Sequence, residues 1–345
     1  MKLSLVVILL STFQFVSAQT SNPALTKVDR IRLAEAFRIG DELGDRVWKH
    51  WRNAPFAVLL VTPEYEFLIR HPQPSADFSP LGYDRTLKSN VFFRKRTQRT
   101  DLLAAMPAIK GSSISTIVVG TAENTSARAS TPWVVSLLHE HFHQLQSSQS
   151  NYYAEVNGLN LSRGDQSGMW MLNFAFPYRS AEVQERFAAL SRLLLDTLEA
   201  SGQANFSNQL AAYLEARRAF EQTLSPDDYR YFSFQLWQEG IARYTEYKIA
   251  QLASAQYKPA AKFRALEDFT LFEQAARATR ERIYDQLRTM KLGDAGRTAF
   301  YPFGAAEGLL LDRINPRWRE RYFVEKFDLG RYLRAANSSR RGRGE

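Results

Sequence analysis

The chain of 345 residues carries 45 Lys and Arg against 36 Asp and Glu, a formal net charge of +9, with 45% apolar and 23% charged residues. That balance excludes disordered, collagen-like and coiled-coil chains, and the length suits one large or two small domains with a sizeable core. The lack of cysteine excludes disulfides, thiolate metal ligands, iron–sulfur clusters and thiol catalysis.

In chain order, Lys2 precedes an apolar run from Leu3 to Leu10 and a small-residue ending at Val16-Ser17-Ala18. One basic residue, a short apolar stretch and a small-x-small site predict a secretory signal over 1–18, cleaved near Ala18. The expectation is an exported protein, periplasmic or secreted, with no stable membrane insertion after cleavage. Residues 19–130 read as an α+β unit. A helical pattern from Thr26 to about Trp51 is followed by β-type runs at Phe56–Val61, Tyr65–Ile69, Val91–Arg94 and Ser115–Val119. From Thr131 to 336 the pattern is helical almost throughout, so the expected fold class is α+β, a small sheet with a covering helix and then helices. Thr131-Pro132 reads as a cap and first helical residue, and Val134, Leu138, Phe142 and Leu145 recur on one face. Ser180 and Ser225-Pro226 start further helices, the second running to about Ala253; others are expected at Asn208–Thr223, Ala260–Met290 and Phe303–Ile314. Residues 337–345 read as a flexible basic tail. The remaining positive charge is spread along the chain, and no nucleic-acid partner is expected.

Three of only five histidines fall in His139-Glu140-His141-Phe142-His143, which contains HExxH. On a helix, residues four apart differ by about 40° around the axis, so His139 and His143 leave one face a turn apart, where two imidazoles can bind one zinc ion. Glu140 beside them has the chemistry of a general base for an attacking water. His141 falls on the opposite face and reads as a buried hydrogen-bonding residue. A third ligand is needed, and the best candidate is Glu239 in Trp237-Gln238-Glu239-Gly240-Ile241-Ala242. The ordinary alternative pairs Glu239 with Arg243 one turn on; Glu155 and Asp165 are weaker ligand candidates. Gly240, costly inside a helix, predicts a second helix packed closely against it. Glu246 is placed to orient a ligand histidine.

HExxH, written here as H-E-x-F-H-x-x-Q from His139 to Gln146, and a distant E-G-I-A-x-Y from Glu239 to Tyr244 resemble the gluzincin metallopeptidases, in particular the exported peptidase MA-like group. The resemblance covers about twenty residues. It implies a zinc site of His139, His143 and Glu239, with Glu140 as base, and a peptide or protein substrate.

Peptide hydrolysis also needs a donor for the developing oxyanion. Tyr301 is favoured, with Tyr244 and His71 as alternatives. The aromatic stretch Trp170–Tyr178 reads equally as a groove lining or as core. The strand Ser115–Val119 is expected to offer an edge to an extended peptide. No G-x-S-x-G, P-loop or dinucleotide fingerprint is present. The expectation is a zinc-dependent metallopeptidase. A non-catalytic binding protein on the same scaffold, or a zinc amidase acting on an envelope component, is the alternative. No feature assigns an oligomeric state.

Overall fold

The computed structural model describes residues 23–341, and side chains as far as residue 335. The expected signal segment, 1–18, lies outside the described residues. The fold is α+β, a mixed six-stranded sheet in the first third of the chain followed by a mainly helical region.

Helix α1 (Lys27–Val47) begins where Thr26 accepts the Asp29 N–H. The strands follow: β1 (Val58–Val61), β2 (Tyr65–Ile69), β3 (Ser79–Asp84), β4 (Ser89–Lys95), β5 (Leu103–Pro107) and β6 (Ser115–Gly120). They lie in the order β3-β4-β2-β1-β6-β5, with β1 and β6 parallel and every other pair antiparallel. Alternation sorts β1 cleanly: Val58 and Leu60 enter the main core beneath the helices, while Leu59 and Val61 join Leu68 and Val118 on the other face.

Two strands were not expected. Strand β3 is solvent-exposed and carries Pro80 and Gly82 with a register shift between them, which removes both the apolar alternation and the β-formers a strand usually shows. Strand β5, Leu-Ala-Ala-Met-Pro, is nearly as poor in β-formers. It covers β6, so β6 is interior and offers no edge; that expectation is corrected, and the outer strand beside it is β5.

Helix α2 (Ser130–Ser147) packs between the sheet and a later helix. Its apolar face (Val134, Leu138, Phe142, Leu145) is fully or almost fully buried, each such side chain contributing about 1.5–3 kcal/mol on burial. The helix starts two residues earlier than Pro132, and Thr131 is not its cap. The Thr131 hydroxyl donates instead to the Thr270 carbonyl at 2.6 Å, and Ser130 donates to Asp268 at 2.6 Å. Arg32 of α1 closes this anchor, giving Nε–H to Ser130 at 2.8 Å and Nη2–H to Asp268 at 2.8 Å. The start of α2 is thus tied to α1 and to a distant loop.

The remaining helices are α3 (Tyr152–Gly158), α4 (Trp170–Asn173), α5 (Ala181–Glu199), α6 (Phe206–Thr223), α7 (Pro226–Gln235), α8 (Ile241–Gln256), α9 (Ala261–Arg264), α10 (Phe272–Thr289), α11 (Leu292–Ala295), α12 (Phe300–Ile314) and α13 (Leu329–Arg341). The expected helix over Ala260–Met290 is broken between α9 and α10, because the loop there carries Asp268 and Thr270 to the start of α2. Helix α13 takes in residues 337–341 of the segment expected as a tail. The aromatic stretch Trp170–Tyr178 is mostly core: Trp170, Phe174 and Phe176 are buried, and Phe174 stacks on Tyr231 at 4.4 Å. One apolar core runs from α1 to α13 across the boundary at residue 130. No helix among the described residues is long and apolar enough to cross a membrane.

Candidate metal centre

His139 and His143 project from one face of α2, their ring centroids 5.1 Å apart. Glu239 reaches them from the segment joining α7 to α8. These two helices form one continuous run, as the Ser225-Pro226 start predicts, but Leu236–Gly240 winds as a single π-turn, the Ile241 N–H bonding to the Leu236 carbonyl. Such a turn inserts one extra residue and re-aims the side chains it carries. Here it carries Glu239. One ligand atom from each of His139, His143 and Glu239 lies within 4.8 Å of the others, a group that could hold a metal ion.

The alternative pairing of Glu239 with Arg243 is absent. Arg243 Nη1 lies 2.9 Å from Glu246 Oε2 instead. Glu239 Oε2 faces His143 Nε2 at 3.4 Å, and its other oxygen lies 3.7 Å from Arg297 Nη1.

Gly240 lets a second helix approach the π-turn. A Cβ built there would meet the Gly304 Cα at 2.5 Å, and one on Gly304 would meet the Gly240 Cα at 2.7 Å. The expected close helix is therefore α12, crossing backbone to backbone where two glycines meet.

His143 is held from behind. The Gln146 amide N–H groups face the carbonyls of Trp237 and Gln238, each at 3.1 Å, and the Tyr322 hydroxyl at 2.8 Å. Tyr322 donates its own proton to the Trp237 carbonyl at 2.6 Å. With its NH2 so engaged, Gln146 turns its carbonyl oxygen to His143 Nδ1 at 2.7 Å. The Gln238 amide nitrogen also approaches Nδ1, at 3.2 Å. One ring nitrogen cannot both give and receive, and the shorter contact decides: Nδ1 carries the proton and donates to Gln146. That leaves Nε2 turned to Glu239, the arrangement a metal-ligating imidazole requires.

His139 Nδ1 is buried 3.4 Å from Glu246 Oε2, without hydrogen-bond geometry. Glu246 is itself buried between Arg243 and Arg282. Burial would raise its pKa, but Arg243, His139 and Arg282 outweigh that and hold it well below the usual carboxylate range. A carboxylate thus stands behind this histidine, as expected for Glu246.

Charge in the cluster is coupled. Burial alone would lower the His143 pKa, yet Glu239 opposite raises it to about 9. Burial alone would raise Glu239, and His143, His139 and Arg297 bring it to about 2. The protein therefore places a carboxylate and a proton where a cation would sit. Two imidazoles with nitrogen lone pairs and one carboxylate suit a borderline-soft divalent ion, so the residues present fit a metal such as zinc.

Glu140 is buried on the same helix and has no hydrogen bond or ion pair among the described residues. Tyr301, at the start of α12, is partly buried beside the cluster; burial first and Glu239 next push its pKa well above the ordinary value, and its hydroxyl accepts a hydrogen bond from Arg297 at 2.6 Å.

The other candidates lie elsewhere. Tyr244 donates to Asp312 at 2.8 Å within the core, and His71 Nδ1 accepts the Gln73 N–H in the loop after β2. Glu155 pairs with Lys326 at 2.7 Å, while Asp165 binds Ser167 and the Trp170 N–H. None of these four belongs to the group that could hold a metal ion, whose members are His139, His143 and Glu239. Sequence reasoning had no role for Gln146 or Arg297. Spacing could have found Gln146, three residues after His143 on one helical face; nothing local marks Arg297. No protein-family model, no curated protein and no solved structure matches this chain, so the chemistry of the site stands on its own residues.

Proposed function

We propose that the protein is an exported zinc-dependent metallopeptidase of the gluzincin kind. The observation that carries this reading is the meeting of His139, His143 and Glu239 beside Glu140, a buried carboxylate that no arginine or lysine pairs among the described residues. His139, His143 and Glu239 would hold the ion; a bound zinc ion polarises a scissile carbonyl and lowers the pKa of water. Glu140 takes the proton of the attacking water and returns it to the leaving amine. A carboxylate not tied to a cationic side chain is available for both transfers, whereas one already bonded to arginine would be a poor base. Tyr301 donates its O–H to the oxyanion that develops on the carbonyl. A peptide would lie extended along β5, the outer strand next to α2, whose free edge carries unpaired backbone groups.

The test is metal analysis and peptide-library cleavage by the purified protein and its Glu140→Gln variant. The expected result is about one zinc per chain in both, with cleavage reduced by about 10²–10⁴-fold in the variant. A wild-type chain that takes up no metal on reconstitution, or a variant that cleaves as fast as wild type, would overturn the proposal. Zinc binding without cleavage of any peptide would favour the binding-protein alternative.

A further inference from the structure

We infer that Arg297 is a positioning residue that locks the Tyr301 hydroxyl as a donor aimed into the metal centre. This rests on the reading of Tyr301 as the oxyanion donor.

Arg297 lies in a one-turn 3-10 segment, Gly296–Ala299, directly ahead of α12. Gly296 has φ 56° and ψ −138°, a conformation that a side chain would make costly. The chain therefore bends sharply at a glycine, and the next residue is delivered to the site. From there Arg297 Nη1 donates to Tyr301 Oη at 2.6 Å, four residues on. The same nitrogen lies 3.7 Å from Glu239 Oε1, and that is its closest carboxylate contact among the described residues.

The choice of partner is the informative point. A structural arginine ordinarily spends its charge on a carboxylate in a paired, forked geometry. Arg297 makes its short bond to a neutral phenol instead. A guanidinium has no lone pair to offer, so the phenol oxygen must accept. A phenol has only one proton, and with Arg297 on one side that proton is directed away from the guanidinium. The donated charge also polarises the phenol, making its O–H a stronger donor. Arg297 thus fixes both the direction and the strength of the Tyr301 donor without touching substrate itself. Its contact with Glu239 sorts the two carboxylate oxygens as well: Oε1 faces the arginine and Oε2 faces His143.

Arg297→Met, Arg297→Lys, Tyr301→Phe and the double variant Arg297→Met/Tyr301→Phe separate this from a merely structural role. Tyr301→Phe is expected to lower kcat by about 10²-fold. Arg297→Met should lower kcat by about tenfold with KM and zinc affinity unchanged, and Arg297→Lys should recover part of the loss. The double variant should be no slower than Tyr301→Phe alone, because the arginine acts through the tyrosine. A second readout needs no turnover: in protein carrying 13Cζ-labelled tyrosine, the Tyr301 resonance, identified by its loss in Tyr301→Phe, should move in Arg297→Met and return towards its wild-type position in Arg297→Lys. Effects that multiply in the double variant would overturn the inference. So would a loss of zinc in Arg297→Met, or a Tyr301 resonance that stays in place. If wild type cleaves no peptide, the proposed function fails, and the resonance alone then decides whether Arg297 controls the hydroxyl.

Discussion

Helix α2 carries the same device on two faces, to different ends. On the sheet side, His141 Nδ1 donates to Gln144 Oε1 at 2.9 Å, and the Gln144 amide donates to the carbonyls of Ala57 at 2.9 Å and Ser115 at 2.7 Å. On the other side, His143 Nδ1 donates to Gln146, whose amide donates to the carbonyls of Trp237 and Gln238. Each glutamine sits three residues after its histidine, and each is oriented by two backbone carbonyls. What differs is the environment of the ring. His141 stacks on Phe56 at 3.7 Å and near Trp51 at 5.5 Å, and burial lowers its pKa to about 3. His143 is buried too, yet Glu239 drives its pKa in the opposite direction. Burial and a fixed tautomer do not make a ligand. The facing carboxylate is what sets His143 apart as a candidate.

The largest expected effect breaks the symmetry outright. Replacing His143 by Ala removes one of the three proposed ligands and should lower zinc affinity by well over about 100-fold, a larger loss than that from disturbing the hydrogen bonds behind a ligand. Replacing His141 by Phe keeps the stacked shape, leaves the Gln144 oxygen without its donor, and should cost about 1–3 kcal/mol of stability. Zinc titration and thermal melts of both variants decide the matter. Loss of zinc in the His141 variant would mean that the two faces are not independent.

Much of this division could be read beforehand, and the exceptions have physical reasons. The apolar spacing of α2, the separation of His139 from His143 and the opposite placement of His141 follow from helical period alone. Gly240 announced a close neighbour because glycine is expensive in a helix unless backbones must meet there. The π-turn was invisible, since no residue type demands one, and with it went the reason Arg243 pairs with Glu246 rather than Glu239. Strands β3 and β5 lack the residues that mark strands and exist because the sheet pairs them. Arg297 reaches the site through a bend at Gly296 and the docking of α12, both products of tertiary packing. Of the three proposed ligands, those on α2 needed only local geometry, whereas Glu239 needed a second helix at the right depth.

A smaller effect tests the glutamines. Gln146→Leu leaves all three ligands in place but removes the acceptor that holds the proton on His143 Nδ1, and it strips the Trp237 and Gln238 carbonyls of a donor. Zinc affinity should fall by about 10–100-fold. Gln144→Leu makes the equivalent change on the sheet side, where the carbonyls of Ala57 and Ser115 lose their donor. It should cost about 1–3 kcal/mol of stability and leave zinc affinity unchanged. Equal zinc losses in the two would show that Gln146 acts through helix stability rather than through the imidazole.

The smallest expected change in affinity concerns what the two glutamines lean on. Gln144 is anchored to strand ends, with Ala57 leading into β1 and Ser115 opening β6, and these are interior strands paired on both sides. Gln146 is anchored to a π-turn whose position depends on Gly240 lying against Gly304. The methyl group of Gly240→Ala cannot be absorbed by a side chain, because the atom it meets at 2.5 Å is backbone. Helices α8 and α12 must separate, costing about 1–3 kcal/mol of stability. That movement carries Glu239 and the two carbonyls with it, so zinc affinity should fall, by less than in Gln146→Leu. The His141 side should not register the change: its ring stacks on Phe56 and Trp51, and neither belongs to α8 or α12. Resonances of the three α2 imidazoles in Gly240→Ala read both faces at once, and a shift confined to His143 and His139 is the expected pattern. An equal shift at His141 would mean that α2 moves as a whole, and that the sheet is not the rigid wall against which the site is built.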